Sequence, residues 1–164
     1  MAVVNSICWK RGRCLILSGI LASLLLTACG GSTKDISGKD VDVDLTKLGG
    51  NILYAQVYNM VSEPEDFLGK SVRLQGYFTP YDEYDKKGNV VETRMSCFVP
   101  DAQGCCSQGI EFVLDGDYTY PEDYPEVGTE ITVEGTFDTY EIYGLSRCHL
   151  LGAAMKVGKK KIEK

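Results

Sequence analysis

Histidine is nearly absent from this chain: His149 is the only one. A lone histidine on a strand is more often a satisfied structural residue than a base or a ligand. No serine, lysine or carboxylate stands in a motif that specifies hydrolysis or group transfer. The Cys-x-x-Cys pair of a thiol oxidoreductase is missing too. Basic charge is scarce in the body of the chain, where residues 30–155 carry nine Lys/Arg against 22 Asp/Glu. A body that acidic repels phosphate backbones, which excludes nucleic acid as a partner, while it suits cationic partners or metal ions. There is no internal repeat, and no apolar run beyond residue 28 approaches the roughly 20 residues of a membrane span. The expectation is a binding or accessory module and not an enzyme.

The apolar residues that are present begin at the N-terminus. Lys10, Arg11 and Arg13 precede an uncharged stretch from Cys14 to Thr27, the order of an export signal. Leu26-Thr27-Ala28-Cys29 follows it. This stretch resembles the lipobox of bacterial lipoproteins, Leu-x-(Ala/Gly)-Cys. The resemblance implies that residues 1–28 are removed as a signal peptide. It also implies that Cys29 becomes the acylated first residue, carrying palmitate among its chains, and that the protein sits lipid-anchored on the extracytoplasmic face of a bacterial cell membrane. Several acyl chains hold far better than one. Residues 29–40 are then the lipidated cysteine and a Gly/Ser-rich flexible tether, residues 41–157 the domain, and residues 158–164 a basic tail.

The domain opens with Asp44 as a candidate N-cap before Leu45, Leu48, Ile52, Leu53 and Val57, interrupted by Gly49-Gly50. This reads as a short helical element. From Ser71 the period changes to two: Val72, Leu74 and Gly76 share one face, Arg73, Gln75 and Tyr77 the other. Asp85 to Asn89 reads as a hairpin turn with a glycine available for positive φ. Further strands are expected at Val90–Val99, Gly109–Leu114, Thr129–Phe137 and Gly144–Val157, with a proline-bearing acidic connector from Asp115 to Gly128. Five strands, a longer connector between the third and fourth, and mid-strand glycines at 76 and 135 predict an all-β fold. The expected form is a small five-stranded OB-fold-like Greek-key barrel with a short N-terminal helical element. A five- or six-stranded sandwich has the same periodicity.

Two runs carry a further resemblance. Gly69 to Phe78, GKSVRLQGYF, looks like the opening strand of bacterial OB-like domains. Arg94 to Ala102, RMSCFVPDA, resembles the Arg-x-x-x-Cys-Cys-x-x-Asp-Ala segment in the C-terminal domain of a poorly characterised family of membrane permease-complex subunits. The chain departs from that pattern in two ways: Phe98 stands where the family has a second cysteine, and a Cys-Cys pair comes later, at Cys105-Cys106. The resemblance implies the fold, and a membrane transporter or cell-envelope protein as partner; it implies no activity.

Of seven cysteines, Cys97, Cys105, Cys106 and Cys148 remain in the domain. Two readings stand side by side. The sulfurs form disulfides, with a Cys97 or Cys148 bond to the vicinal pair favoured over a strained vicinal bridge. Alternatively they form a thiolate site for a metal such as Zn²⁺, with His149 and Asp101 as further candidate ligands; metal handling or a structural metal at this cluster, beside a transporter, is the leading expectation of function. Cys148 and His149 are neighbours on a strand and point to opposite faces, so both cannot serve one ion. In either reading Cys97 is expected within reach of Cys105 or Cys106. Tyrosine is abundant, and Tyr77, Tyr118, Tyr120, Tyr124, Tyr140 and Tyr143 could line a face that binds protein or saccharide. The same rings could equally serve the core edge and hairpin pairing.

Overall fold

The computed structural model describes residues 40–161 together with Ile36 and Gly38. Residues 1–28, expected above to be a signal peptide, Cys29 and most of the expected tether lie outside the described residues. The described chain is mostly β, with one six-stranded sheet and one longer helix: β1 (Val43–Asp44), α1 (Gly50–Ser62), β2 (Ser71–Tyr84), β3 (Val90–Pro100), β4 (Ser107–Leu114), β5 (Thr129–Ile142) and β6 (Leu145–Lys161). Among the described residues no helix is long and apolar enough to cross a membrane.

Asp44 does cap, but what it caps is a single 3-10 turn, Leu45–Lys47, where its carboxylate accepts from the Thr46 amide at 3.1 Å. The helix proper starts within the glycine pair, with Gly49 as N-cap and Gly50, at φ +49°, as its first residue. Its Leu53, Val57 and Met60 repeat at helical spacing, and Val57 and Met60 are fully buried. Pro64 follows directly and stops it, because proline cannot continue an i to i−4 ladder. The helix packs on β3 and β4.

The sheet order is β1-β2-β3-β4-β6-β5, and β2 also pairs with β5. The sixth strand is β1, two residues lying parallel to the start of β2, too short to show a period in sequence. The remaining long strands run further than periodicity indicates. Strand β2 continues to Tyr84, β5 to Ile142 and β6 to Lys161, so the last strand includes residues assigned above to the tail. Alternation along β2 is as expected, with Val72, Leu74 and Phe78 facing the core.

Two register features shape the sheet. Strand β2 pairs with β5 from Ser71 to Tyr77 and with β3 from Tyr77 to Tyr84, so it changes partner at Tyr77. Gly76 lies at this handover, and a Cβ there would stand 2.5 Å from the Phe98 carbonyl oxygen and 2.8 Å from Cys97 Sγ. Gly135 sits at the register shift between Glu134 and Thr136, where a Cβ would be 2.9 Å from the Leu151 carbonyl oxygen. Both strands therefore bend where only hydrogen fits. Inside, Phe78, Leu74, Ile110, Ile131, Phe137 and Leu150 are fully buried, and burying each such side chain contributes about 1.5–3 kcal/mol.

Candidate functional site: a carboxylate between two hairpins

Long strands make long hairpins. The ends of the β2–β3 and β5–β6 hairpins both reach over β4, and polar side chains meet there. All five long strands contribute: Tyr81 and Glu83 from β2, Arg94 from β3, Glu111 from β4, Tyr140 from β5, and Arg147 and His149 from β6. Glu111 is the centre. It is only 9% exposed, and the hydroxyls of Tyr81 and Tyr140 each donate to one of its carboxylate oxygens. Arg94 and Arg147 each bring a guanidinium nitrogen to 3.6 Å from it. Arg147 also donates to the Tyr81 hydroxyl at 3.0 Å and reaches Glu83 at 2.9 Å. Arg94 lies over the Tyr140 ring, 4.9 Å from its centroid, a cation–π contact. The His149 ring also lies against Tyr140, ring centroids 4.8 Å apart.

Burial, then the hydrogen bond to Glu111, push the phenols of Tyr81 and Tyr140 well above the ordinary tyrosine range. Burial lowers His149 below its ordinary value, opposed by the charges of Asp138 and Glu111. Among the described residues two buried side-chain atoms lack a well-directed hydrogen bond, Arg94 Nε and Glu83 Oε1, and both belong to this cluster. They are 3.9 Å apart; Glu83 Oε1 is ion-paired with Arg147 at a poor angle. Such groups are few in native structures. Grooves open on both sides of Glu111. One, about 350 Å³, passes Arg94 and Phe112 towards Tyr118 and Tyr120. The other, about 510 Å³, presents Thr79, Ser107, Ser146 and Gln108 beside the rings of Tyr81 and Phe98.

The cysteines do not converge. All four are free and no pair stands at disulfide distance. Cys97 is fully buried in the core, opposite Ile110 of β4, and burial pushes its thiol far up. Cys97 faces inward with Met95 and Val99, the alternate positions of β3 that join the core. Cys148 packs half-buried against the core; His149 points the other way, into the tyrosine–glutamate cluster, as the strand alternation requires. Only Asp101, Cys105 and Cys106 stay together, in the turn that joins β3 to β4. Asp101, then Cys106, hold the Cys105 thiol up to about 11.

No protein-family model matches the chain, and no curated protein matches its sequence. The site therefore rests on its own geometry.

The tyrosines divide as well. Tyr118, Tyr120 and Tyr124 gather over Phe78, with Tyr124 stacked on it at 5.5 Å, and close one end of the core. Tyr77 lies 6.0 Å from Phe98, and Tyr143 is 73% exposed in the β5–β6 turn. Tyr140 alone of the six joins the polar cluster. The residues that sequence reasoning missed are Tyr81, Glu83, Arg94, Glu111 and Arg147 as a set. A partial signal existed: the Asp85–Asn89 turn sets the register that places Tyr81 opposite Arg94 and Glu83 opposite Glu92. Nothing local points to Glu111 or Arg147.

Proposed function

We propose that this chain is a lipid-anchored, extracytoplasmic binding module that holds a polyhydroxylated ligand of the saccharide class in the grooves beside Glu111. The observation that carries the reading is the convergence of polar side chains from the other four long strands on one nearly buried carboxylate of β4, with open grooves beside it. Hydroxyl, amide and guanidinium groups beside aromatic rings are the donor set for sugar hydroxyls and sugar faces. The reading of the frame as a five-stranded OB-type Greek-key barrel is supported by the ring of pairings from β2 through β3, β4, β6 and β5 back to β2, in which β4 and β6 are parallel. OB barrels bind along the face flanked by the first and last hairpins, where this cluster lies. Anchoring is supported by the order of basic, apolar and lipobox residues up to Cys29, and a neighbouring transporter or envelope protein by the resemblance of residues 69–78 and 94–102. Binding, not catalysis, is the task proposed, since the cluster's hydroxyls are already engaged with its carboxylate.

The test is a titration of the isotope-labelled chain with oligosaccharides released from bacterial envelopes, followed by NMR. Shifts concentrated at Tyr81, Arg94, Glu111 and Arg147, and lost in Glu111→Gln and Arg147→Ala, are the expected result. Binding that survives both substitutions, or no binding by any envelope glycan, overturns the reading.

A further inference from the structure

The turn after β3 is a second site, independent of the grooves. Asp101 organises it. Its amide donates to the Cys106 carbonyl at 2.9 Å, its carbonyl accepts from Gly104 at 3.1 Å, and its Oδ1 accepts from the Cys105 amide at 2.9 Å. Gly104 takes φ +69° to make the bend. Asn51 of α1 accepts the Ala102 amide at 3.2 Å, tying the turn to the helix. The second carboxylate oxygen, Oδ2, is thereby turned towards the thiols, 3.2 Å from Cys105 Sγ. Cys105 Sγ and Cys106 Sγ are 3.8 Å apart, and both residues are exposed.

The sulfur–sulfur spacing matches tetrahedral coordination, and the three donor atoms all lie within 4.8 Å of one another. With zinc–sulfur bonds of about 2.3 Å, tetrahedral angles place two thiolate sulfurs about 3.8 Å apart. With a zinc–oxygen bond of about 2.0 Å, they place the oxygen about 3.5 Å from either sulfur. A linear two-coordinate ion such as Cu⁺ would set its two sulfurs at twice the metal–sulfur bond, well beyond the spacing found. We propose that Asp101 Oδ2, Cys105 Sγ and Cys106 Sγ form a surface site for one Zn²⁺, with the fourth position of the tetrahedron open to solvent. The two thiols release their protons to the medium as the ion binds, and the carboxylate supplies the third bond. Three protein donors and an open position suit an ion that is taken up and passed on; closed four-ligand sites are the structural ones. The acidic body around the turn favours a divalent cation's approach.

The test uses the whole chain expressed in a bacterium, extracted in detergent, reduced with a phosphine and stripped of metal. Zn²⁺ alone is the titrant, in competition with a chromophoric zinc indicator. One equivalent per chain, with about two protons released, is expected. Cys105→Ser and Cys106→Ser should each abolish it, and Asp101→Asn should weaken it at least tenfold. Cys148→Ser, His149→Gln and Glu111→Gln should leave it intact. Cobalt substitution should give the thiolate charge-transfer and tetrahedral bands of a two-sulfur site. Circular dichroism of each variant, unchanged from the parent, separates lost ligation from lost fold. Absence of zinc binding in the reduced chain, binding that persists without both thiols, half an equivalent shared by two chains, or loss on removing Cys148 or His149 each overturn the proposal.

Discussion

At the scale of single residues, the strictest demand falls on Gly76. Its position at the β2 handover leaves 2.5 Å between a notional Cβ and a backbone carbonyl oxygen, which no rotamer change can relieve. Gly76→Ala should destabilise the fold by about 1–3 kcal/mol, as overpacked cores do, seen as a lower denaturant midpoint with an unchanged slope. His149 makes a prediction of the opposite kind, one that depends on pH. Burial depresses its folded value below the ordinary 6.5, so between those values the unfolded chain binds the extra proton. Stability therefore rises with pH through that window, and is lost as pH falls below about 6.5. His149→Gln should flatten this part of the stability–pH curve; an unchanged slope would mean that His149 is not held neutral by the fold.

At the scale of elements, two hairpins that are remote in sequence lock together. Arg147 of β6 spans to Glu83 and Tyr81 of β2, and both hairpins hold Glu111. A double-mutant cycle of Glu83→Gln with Arg147→Met should return a coupling of about 0.5–3 kcal/mol, where distant pairs add. The same elements show what could be read from sequence. Alternation in Val72, Leu74 and Phe78, or in Ile131, Val133 and Phe137, follows from the pleat and was legible, as was the Asp85–Asn89 turn. The strand extensions were not, because β2 beyond Pro80 and β5 beyond Asp138 are held by partners across the sheet and not by their own apolar pattern. The tyrosine–glutamate cluster was hidden for the same reason: Tyr81 and Arg147 meet only after two hairpins close. Cys97 misled because nearness in sequence to Cys105 says nothing of which face its side chain takes.

At the scale of the molecule, the proposed lipid anchoring is tested apart from the fold. Cys29→Ala should leave a precursor without acyl chains that no longer co-sediments with membranes, by mass spectrometry and fractionation; an unmodified Cys29 in the mature wild-type chain would sink the lipidation. The domain itself has one feature with a bearing on how it is made. Strand β2 gives its first half to β5, joining Ser71 to Thr136 and Tyr77 to Glu130. During synthesis from the N-terminus, that half emerges long before its partner exists. Until β5 follows, the β2–β3 hairpin presents an open edge bearing Val72 and Leu74, the kind of edge that recruits stray strands. That pairing is the most distant in sequence of the sheet, which slows folding. A chain interrupted between Leu114 and Thr129 would be left with that edge unsatisfied, and aggregation would be its natural fate.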